Sequence, residues 1–262
     1  MMSTFVDVIP AQRQSGALTM REAGDGPTLW YFHDEVSVAA GALPSALAKR
    51  FHVLAPIHPG FGDAVRPDWV EKIEDLADLY IEAVRESAEH GPVTLVGSSV
   101  GAWLAAEVAL AVYDRVESVV LVSPVGLAVP GSQPVDHWFM RDEERDATLF
   151  ADPANKPTVP AEEFIANESM TARLGWNPRF ASYRLAPRLN RLTMPTHLVW
   201  GAEDRLIPHE HRQAWSSILP DSTESIIEGS GHYPGYERPA ETAAAIDQFL
   251  NHTLRTSEGV AR

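Results

Sequence analysis

The sequence predicts an α/β protein with a largely parallel sheet, because short β-rich runs alternate with helical patterns along most of the chain. The run 28–33 (Thr-Leu-Trp-Tyr-Phe-His) has the apolar character of a strand that is covered on both faces. Similar short runs recur at intervals that leave room for a helix between them. The other predicted strands are 4–9, 17–22, 51–55, 93–96, 119–122, 196–200 and 225–227.

A long helix is predicted from Trp69 to Glu89, because its apolar residues recur at the spacing of one helical face. Asp68 and Glu71 are three residues apart and fit a capping pair at its start. The opposite face is strongly acidic, which we interpret as a solvated surface. Further helices are predicted over 102–113, 209–218 and 240–250.

The pattern changes between Ser123 and about Thr193, where eight prolines and several aromatic residues replace the regular alternation. Proline breaks regular elements, and this segment contains no strand of any length. A composition change of this kind is typical of an insertion into a continuing sheet. We therefore predict a core of residues 1–123 and 195–262, with residues 124–194, called the insertion below, between its two parts.

Charge and composition exclude several classes of protein. The chain of 262 residues carries 21 Lys and Arg against 36 Asp and Glu, a net charge of −15, which disfavours nucleic-acid binding. It has no cysteine, so disulfides and cysteine-ligated metal sites are excluded. A hydrophobic fraction of 45% is typical of a globular protein and not of a disordered acidic one.

Nothing in the sequence indicates a membrane segment or a secretion signal. The first nine residues hold no basic start followed by a long apolar run, and no apolar stretch is long enough to cross a bilayer. Neither a histidine pair with metal-ligand spacing nor a phosphate-binding loop occurs. We expect a soluble cytoplasmic protein, a monomer or homodimer that acts on a small molecule and needs no metal or cofactor.

The motif Gly97-Ser98-Ser99-Val100-Gly101 carries the clearest chemical signal. It lies between a β-rich run and an alanine-rich helical run, which is the context of a nucleophile elbow. The turn is so sharp that small residues are needed at the flanking positions, and it lifts the serine hydroxyl above the sheet at the start of a helix. Ser99 is therefore the predicted nucleophile.

The partners of Ser99 are predicted from their placement in the chain. A serine hydroxyl becomes a nucleophile when a histidine takes its proton and an acid orients that histidine. In the order Ser, acid, His, both partners follow late strands. Asp204 follows the strand 196–200, and His232 follows the strand 225–227 in a Gly-Ser-Gly-His loop. Glu203 and Asp221 are weaker candidates for the acid, and no other histidine has this placement.

Five ordered segments make the chain resemble the α/β-hydrolase fold family over nearly its whole length. It is similar to the branch that contains small esterases and the carbon–carbon bond (meta-cleavage product) hydrolases of aromatic breakdown. The resemblance implies a mostly parallel eight-stranded sheet flanked by helices, with a helical cap inserted after strand six, where the insertion begins here. The segments are Phe32-His33-Asp34-Glu35, His58-Pro59-Gly60-Phe61-Gly62, 97–103, 195–204 and 229–239.

The resemblance also implies an oxyanion hole formed by two backbone N–H groups, those of Val100 and Glu35. Family members usually have His-Gly after the third strand, whereas this chain has His33-Asp34-Glu35. Two carboxylates beside a developing oxyanion would be unfavourable. We therefore expect the side chains of Asp34 and Glu35 to face solvent, so that only the backbone takes part, and the alternative is that both carboxylates are paired.

The substrate pocket is predicted to be mostly apolar, because the insertion is rich in aromatic residues that would cover Ser99. Five arginines lie between Ser169 and Met194, and they either pair with acids of the insertion or bind an anionic substrate. The predicted pocket residues are His33, Asp34, Trp138, Phe139, Trp176 and Tyr233.

These residues predict a serine hydrolase that cleaves a small to medium carboxylic ester, lactone or thioester through a Ser-His-Asp triad and an acyl-enzyme. The first alternative is a carbon–carbon bond hydrolase of a vinylogous diketone, although the Asn-Ser-Met-Gly motif often found in such enzymes is absent. The second alternative is a non-hydrolytic ligand receptor, or a biosynthetic lyase or cyclase, on the same fold.

Overall fold

Ten strands and eight α-helices lie in the residues that the computed structural model describes, which are 6–8, 18–36, 38 and 41–260. Parts of the first two predicted strands lie outside these residues. The strands are β1 (Val6–Val8), β2 (Thr19–Ala23), β3 (Thr28–Phe32), β4 (His52–Ile57), β5 (Val93–Ser98), β6 (Val116–Val122), β7 (Gly126–Leu127), β8 (Ala181–Ser182), β9 (Thr196–Gly201) and β10 (Ser222–Ile227). The α-helices are α1 (Ala42–Leu47), α2 (Ile73–Ser87), α3 (Val100–Ala111), α4 (Asp142–Leu149), α5 (Ala161–Gly175), α6 (His209–Ile218), α7 (Pro234–Glu237) and α8 (Pro239–Val260).

Eight of the strands form the main sheet, in the order β1-β2-β4-β3-β5-β6-β9-β10. β2 pairs antiparallel with β1 and with β4, and the other pairings in this sheet are parallel. A parallel sheet is stable when helices cover both of its faces. The mostly parallel α/β architecture predicted from the sequence is confirmed.

The central strands are almost completely buried, which explains why their sequences are apolar instead of alternating. Successive side chains point to opposite faces of the sheet. Leu95 packs on the face covered by α2 and α3, whereas its neighbour Val96 packs on the face covered by α1 and α8. The two hydrophobic layers hold the strands rigidly, and the loops that follow the strands are fixed with them.

Helix α2 starts at Ile73 and not at Trp69 as predicted. The carboxylate of Asp75 accepts the N–H groups of Glu71 and Lys72, with N···O distances of 3.0 and 3.3 Å. A carboxylate in the first turn that binds the N–H groups before it marks the start of a helix. The capping acid is therefore Asp75, and the predicted pair of Asp68 and Glu71 does not serve as the cap.

The strands that precede the predicted functional loops end at one edge of the main sheet. Phe32 of β3 lies opposite Gly97 of β5, and Ile227 of β10 lies opposite Gly201 of β9. β6 pairs with both β5 and β9 and connects the two halves of this edge. The loops after parallel strands meet at their carboxyl ends, where open α/β sheets bind ligands.

The insertion leaves the main sheet after β6 and returns to it at β9. It contains α4, α5 and the short strands β7 and β8, which pair parallel with each other. Several hydrogen bonds join it to the loops at the carboxyl edge, and two of them lie next to the predicted site. The carbonyl of Leu149 accepts the N–H of His232 at 2.8 Å, and the amide oxygen of Asn167 accepts the N–H of Gly62 at 2.9 Å. The insertion therefore lies directly against the loops that carry the predicted site.

Candidate active site

Ser99 occupies a strained turn between β5 and α3. Its backbone has φ 52° and ψ −114°, a conformation that is costly for a residue with a side chain. The flanking residues need to be glycines, because a side chain at either position would collide with the backbone. A Cβ atom on Gly97 would lie 2.2 Å from the carbonyl oxygen of Gly101, and a Cβ on Gly101 would lie 2.2 Å from that of Phe32. The local sequence thus has the small residues that this turn demands.

The structure brings Ser99, His232 and Asp204 into one hydrogen-bonded chain. The Ser99 Oγ atom lies 2.9 Å from His232 Nε2, and His232 Nδ1 lies 2.8 Å from Asp204 Oδ2. The other carboxylate oxygen of Asp204 accepts the N–H groups of Leu206 and Ile207 at 2.9 and 3.0 Å. These bonds fix the acid, which in turn fixes the imidazole ring beside the hydroxyl.

The electrostatic surroundings of His232 favour its protonated form. Complete burial lowers the pKa of the imidazole, but the neighbouring carboxylates Asp204, Glu35 and Asp34 raise it by more, so the pKa lies above its ordinary value of 6.5. The ring is therefore well suited to hold a proton that it takes from Ser99. It also needs to lose that proton before each cycle begins.

The Glu35 side chain contradicts the expectation that it faces solvent. Glu35 is only 5% exposed, and its Oε1 atom accepts the hydroxyls of Ser99 and Tyr233, each at 2.9 Å. The carboxylate lies beside the nucleophile because the loop after β3 turns into the protein at this point. A serine hydroxyl has one proton, so Glu35 and His232 compete for it.

Asp34 is also buried, contrary to expectation, but its role is to hold the loop. Its Oδ1 atom accepts the Val36 N–H and the Tyr236 hydroxyl, each at 2.9 Å. Burial, followed by repulsion from Glu35, raises the pKa of the Asp34 carboxyl from 3.8 to about 7. Asp34 does not line the cavity beside Glu35 that is described below.

The two predicted N–H donors lie on either side of the nucleophile in the fold. Val100 is the first residue of α3, so its N–H has no acceptor within the helix and carries the positive end of the helix dipole. Glu35 belongs to the loop that follows β3, the strand beside β5. Both positions suit an oxyanion hole, although the Glu35 carboxylate also enters the site.

His33 does not line the cavity beside Glu35 and instead connects two loops of the site. Its ring lies 3.9 Å from that of His58, centroid to centroid, and its Nε2 atom accepts the His58 N–H at 3.0 Å. Burial lowers the pKa of the His33 imidazole to about 4, which keeps this nitrogen an acceptor at neutral pH. The ring fastens the loop after β3 to the loop after β4.

A small cavity beside Glu35 is lined by both the core and the insertion. Tyr233 lines it, as predicted, and so does His137 of the insertion. Trp138, Phe139 and Trp176 do not line it. Trp138 stacks between other aromatic rings of the insertion, and Phe139 and Trp176 are more than half exposed. The remaining lining residues are Val36, Arg145, Asp146, Leu149, Phe150, Lys156, Pro157, Val159, Phe164 and Glu168.

Sequence reasoning missed the Glu35 carboxylate and His137 as site residues. His137 lies in an irregular segment, and no neighbouring motif distinguishes it from a surface histidine. For Glu35, the only signal is at the preceding position, where Asp34 replaces the glycine that family members usually have. Only the direction of its side chain was misjudged.

Three of the five insertion arginines pair with acids. Arg173 contacts Glu71, Arg179 contacts Asp136, and Arg188 lies 2.7 Å from a carboxylate oxygen of Glu107. Arg184 and Arg191, with Arg188, line a groove next to α2 and α3 that is separate from the cavity beside Glu35. None of the five arginines lines that cavity. Only Arg179 pairs within the insertion as predicted, whereas Arg173 and Arg188 pair with acids of the core.

Within the part of the chain that the structure describes, no group of three or more His, Asp or Glu side chains is arranged to hold a metal ion. None of the helices described there is long and apolar enough to span a membrane.

The sequence profile described as the alpha/beta hydrolase family matches residues 23–245 of this chain. The match covers most of the sequence, so the protein belongs to the alpha/beta hydrolase family, as the sequence motifs indicated. It is a hydrolase of that fold.

Individual relatives are distant and differ in their reactions. The chain is 26% identical over 258 residues to the 2-(acetamidomethylene)succinate hydrolase of Mesorhizobium japonicum, covering 89% of this chain and 91% of that protein. The 2-hydroxy-6-oxo-6-phenylhexa-2,4-dienoate hydrolase from Rhodococcus sp. strain RHA1 superposes with a TM-score of 0.73 at 21% identity, covering 95% of this chain and 99% of that one. The naproxen esterase of Bacillus subtilis has a TM-score of 0.72 at 17% identity, with coverage of 95% and 90%. These two structural similarities support the fold alone.

Proposed function

We propose that the protein is a serine hydrolase of small to medium carboxylic esters, lactones or thioesters. The observation that carries the proposal is the hydrogen-bonded chain from Ser99 through His232 to Asp204, held in a strained elbow at the carboxyl edge of the sheet. This arrangement supplies a nucleophile, a base and an orienting acid at hydrogen-bond distance. The insertion acts as a cap that closes the site from above.

The reaction proceeds through an acyl-enzyme. Ser99 Oγ attacks the acyl carbon while its proton passes to His232 Nε2, and the backbone N–H groups of Val100 and Glu35 stabilise the oxyanion. The protonated imidazole, paired with Asp204, then gives the proton to the leaving oxygen or sulfur as its bond to the acyl carbon breaks. Water, deprotonated by the same imidazole, attacks the acyl-enzyme, releases the acid and returns the proton to Ser99.

A carbon–carbon bond hydrolase is the second candidate, because the sequence resembles the branch of the family that contains the meta-cleavage product hydrolases. The dienoate hydrolase and the succinate hydrolase act on substrates whose names describe carboxylates. In this chain, the cavity is lined by three acids, Glu35, Asp146 and Glu168, against two bases, Arg145 and Lys156, and this net negative charge disfavours a further carboxylate. We therefore place ester, lactone or thioester cleavage first.

The nucleophile is tested by replacing Ser99 with alanine and measuring hydrolysis of p-nitrophenyl butanoate. Loss of the nucleophile should lower kcat/KM by a factor on the order of 10⁴ or more. Ser217→Ala is the matched control, because Ser217 is an exposed serine of α6. A fluorophosphonate probe should label the wild type and this control but not Ser99→Ala.

The same assays distinguish the proposed function from its two alternatives. Full activity in pure Ser99→Ala protein would overturn the assignment. Turnover of a 2-hydroxy-6-oxodienoate with no turnover of esters, lactones or thioesters would favour the carbon–carbon hydrolase. Stoichiometric binding of such compounds without any turnover would favour a receptor.

A further inference from the structure

Two residues that line the cavity each carry a buried polar atom without a hydrogen-bond partner. Glu35 Oε2 is one, although Oε1 of the same carboxylate accepts two hydroxyls. The Nδ1 atom of His137 is the other, in a side chain that is only 2% exposed. Buried polar atoms are nearly always paired, and an unpaired carboxylate oxygen is costly. An unpaired oxygen at a ligand cavity marks the position of a donor on the ligand.

The charges around the cavity favour a cationic donor. The wall carries three acids, Glu35, Asp146 and Glu168, against two bases, Arg145 and Lys156. Lys156 Nζ contacts both oxygens of Asp146 at 2.8 and 2.9 Å, and Arg145 contacts Asp142, an acid outside the wall, at 3.0 Å. Among the described residues, neither Glu35 nor Glu168 forms an ion pair. The wall beside the nucleophile therefore has an excess of negative charge.

His137 does not cancel this excess. Burial lowers the pKa of the His137 imidazole, so the ring is neutral at physiological pH despite the attraction of Glu35. A neutral ring with an unpaired nitrogen can still make one hydrogen bond to a bound ligand. The cavity thus offers a carboxylate oxygen and an imidazole nitrogen to the same small group.

We propose that this cavity binds the ammonium group of an amine-bearing substrate, with Glu35 Oε2 as its main acceptor. The inference rests on the proposed function and specifies its substrate class as acyl compounds that carry an amine on the acyl side. The cavity measures about 30 Å³, which suits a head group of the size of ammonium. Because Glu35 Oε1 is 2.9 Å from Ser99 Oγ, the amine and the scissile carbonyl are separated by only a few bonds.

Binding of the ammonium group also frees the nucleophile. In the unliganded site, Glu35 competes with His232 for the single proton of Ser99. A cation on Oε2 partly neutralises the carboxylate and weakens its attraction for that proton, which then turns toward His232. An amine-bearing substrate should therefore have a higher kcat as well as a lower KM.

A matched pair of esters tests the inference. p-Nitrophenyl 3-aminopropanoate and p-nitrophenyl butanoate have acyl chains of equal length, and they differ by an ammonium in place of a methyl group. In the wild type, kcat/KM should be higher for the amino ester by about tenfold or more, as expected for a charge pair shielded from water. Glu35→Gln should reduce this ratio to about one, whereas Glu162→Gln, at an exposed site on α5, should leave it unchanged.

The ratio of the two kcat/KM values distinguishes a loss of ammonium recognition from a general loss of catalysis. A change that weakens catalysis lowers kcat/KM for both esters, and it cancels in the comparison between them. Ser99-dependent hydrolysis of both esters without a preference for the amino ester would overturn the inference and leave the proposed function intact. A preference that survives in Glu35→Gln would overturn it as well.

A binding measurement keeps the inference testable if neither ester is cleaved. Calorimetric titration with n-propylamine, a cation at neutral pH, should show saturable binding to the wild type, and 1-propanol should bind more weakly. Glu35→Gln should weaken amine binding by about tenfold. Equal binding of amine and alcohol by the wild type would contradict the inference, whatever the catalytic activity of the protein.

Discussion

At the scale of single residues, the unusual feature is a pair of adjacent acids buried next to Ser99, the proposed nucleophile. Asp34 and Glu35 are 1% and 5% exposed, and their roles differ. Asp34 bonds to Val36 and Tyr236 and holds the loop, whereas Glu35 points at Ser99. Burying carboxyl groups is costly, and proteins retain such groups where function needs them.

Burying the ionised Asp34 carboxylate costs free energy, and this cost should make the stability of the protein depend on pH. The folded-state pKa of Asp34 is about 7 against an ordinary value of 3.8, so the unfolded chain loses the proton first as the pH rises. The stability that the protonated form contributes is complete below about pH 4 and is lost as the pH rises to about 7. Asp34→Asn keeps an oxygen acceptor and removes this titration.

Urea unfolding at pH 5 and pH 8 measures this dependence. The wild type should lose more unfolding free energy between the two pH values than Asp34→Asn, by about 2 kcal/mol. Asp25→Asn, at an exposed position before β3, should behave as the wild type does. Parallel stability curves for the wild type and Asp34→Asn would show that Asp34 does not titrate in this range.

At the scale of elements, the active site depends on how closely α3 approaches the ends of β3 and β5. Gly101 lies in the first turn of α3, and a Cβ atom there would lie 2.2 and 2.3 Å from the carbonyl oxygens of Phe32 and His33. Those two residues lead into the loop that carries Glu35. One glycine thus sets the distance between the nucleophile and this loop.

Gly101→Ala should therefore push α3 away from the end of β3. We expect a loss of more than about 3 kcal/mol of unfolding free energy, because the atoms in collision belong to the rigid backbone. Gly131→Ala is the control. A Cβ atom added at Gly131 would have no heavy atom within 4 Å, so the only cost is the φ of 76°, which is unfavourable for alanine. That strain should cost about 1 kcal/mol. Thermal and urea unfolding check both values, and equal losses in the two variants would refute the packing argument.

At the scale of the whole molecule, the insertion is attached to the core on two sides. On the site side, Leu149 accepts the N–H of His232. On the far side, Arg188 pairs at 2.7 Å with Glu107, a residue of α3 that is only 4% exposed. Burial raises the pKa of the Glu107 carboxyl, and Arg188 partly opposes this shift. The helix that starts at the nucleophile is thus also an anchor for the insertion.

Arg188→Met should leave the Glu107 carboxylate buried without a partner. Breaking such a pair costs about 3 kcal/mol, and the loss should be larger at pH 8 than at pH 5, where protonation relieves the charge. Arg184→Met removes an exposed arginine from the same segment and should change stability by less than about 1 kcal/mol. Urea unfolding of both variants at the two pH values is the test, and a pH-independent loss would contradict the assigned role of the charge.

Most of the fold could be predicted from the sequence, because the deciding signals are local. Buried parallel strands such as β3 and β5 are apolar throughout, and α6 was predicted with its observed bounds. The start of α2 was predicted four residues too early, because two acidic residues, Glu71 and Asp75, both fit a capping role. Which of them caps the helix depends on the local path of the chain.

The sequence by itself determined the mostly parallel α/β fold, and it predicted the nucleophile elbow, the order of its two partners along the chain and the limits of the insertion. Each of these depends on residues that are neighbours in the chain, or on loops that follow parallel strands and must end at one edge of the sheet. Tertiary structure alone decided that Glu35 turns inward to Ser99, that His137 reaches the cavity and that Phe139 does not. Side-chain direction in irregular segments is set by packing between residues far apart in sequence, and a linear pattern does not encode that packing.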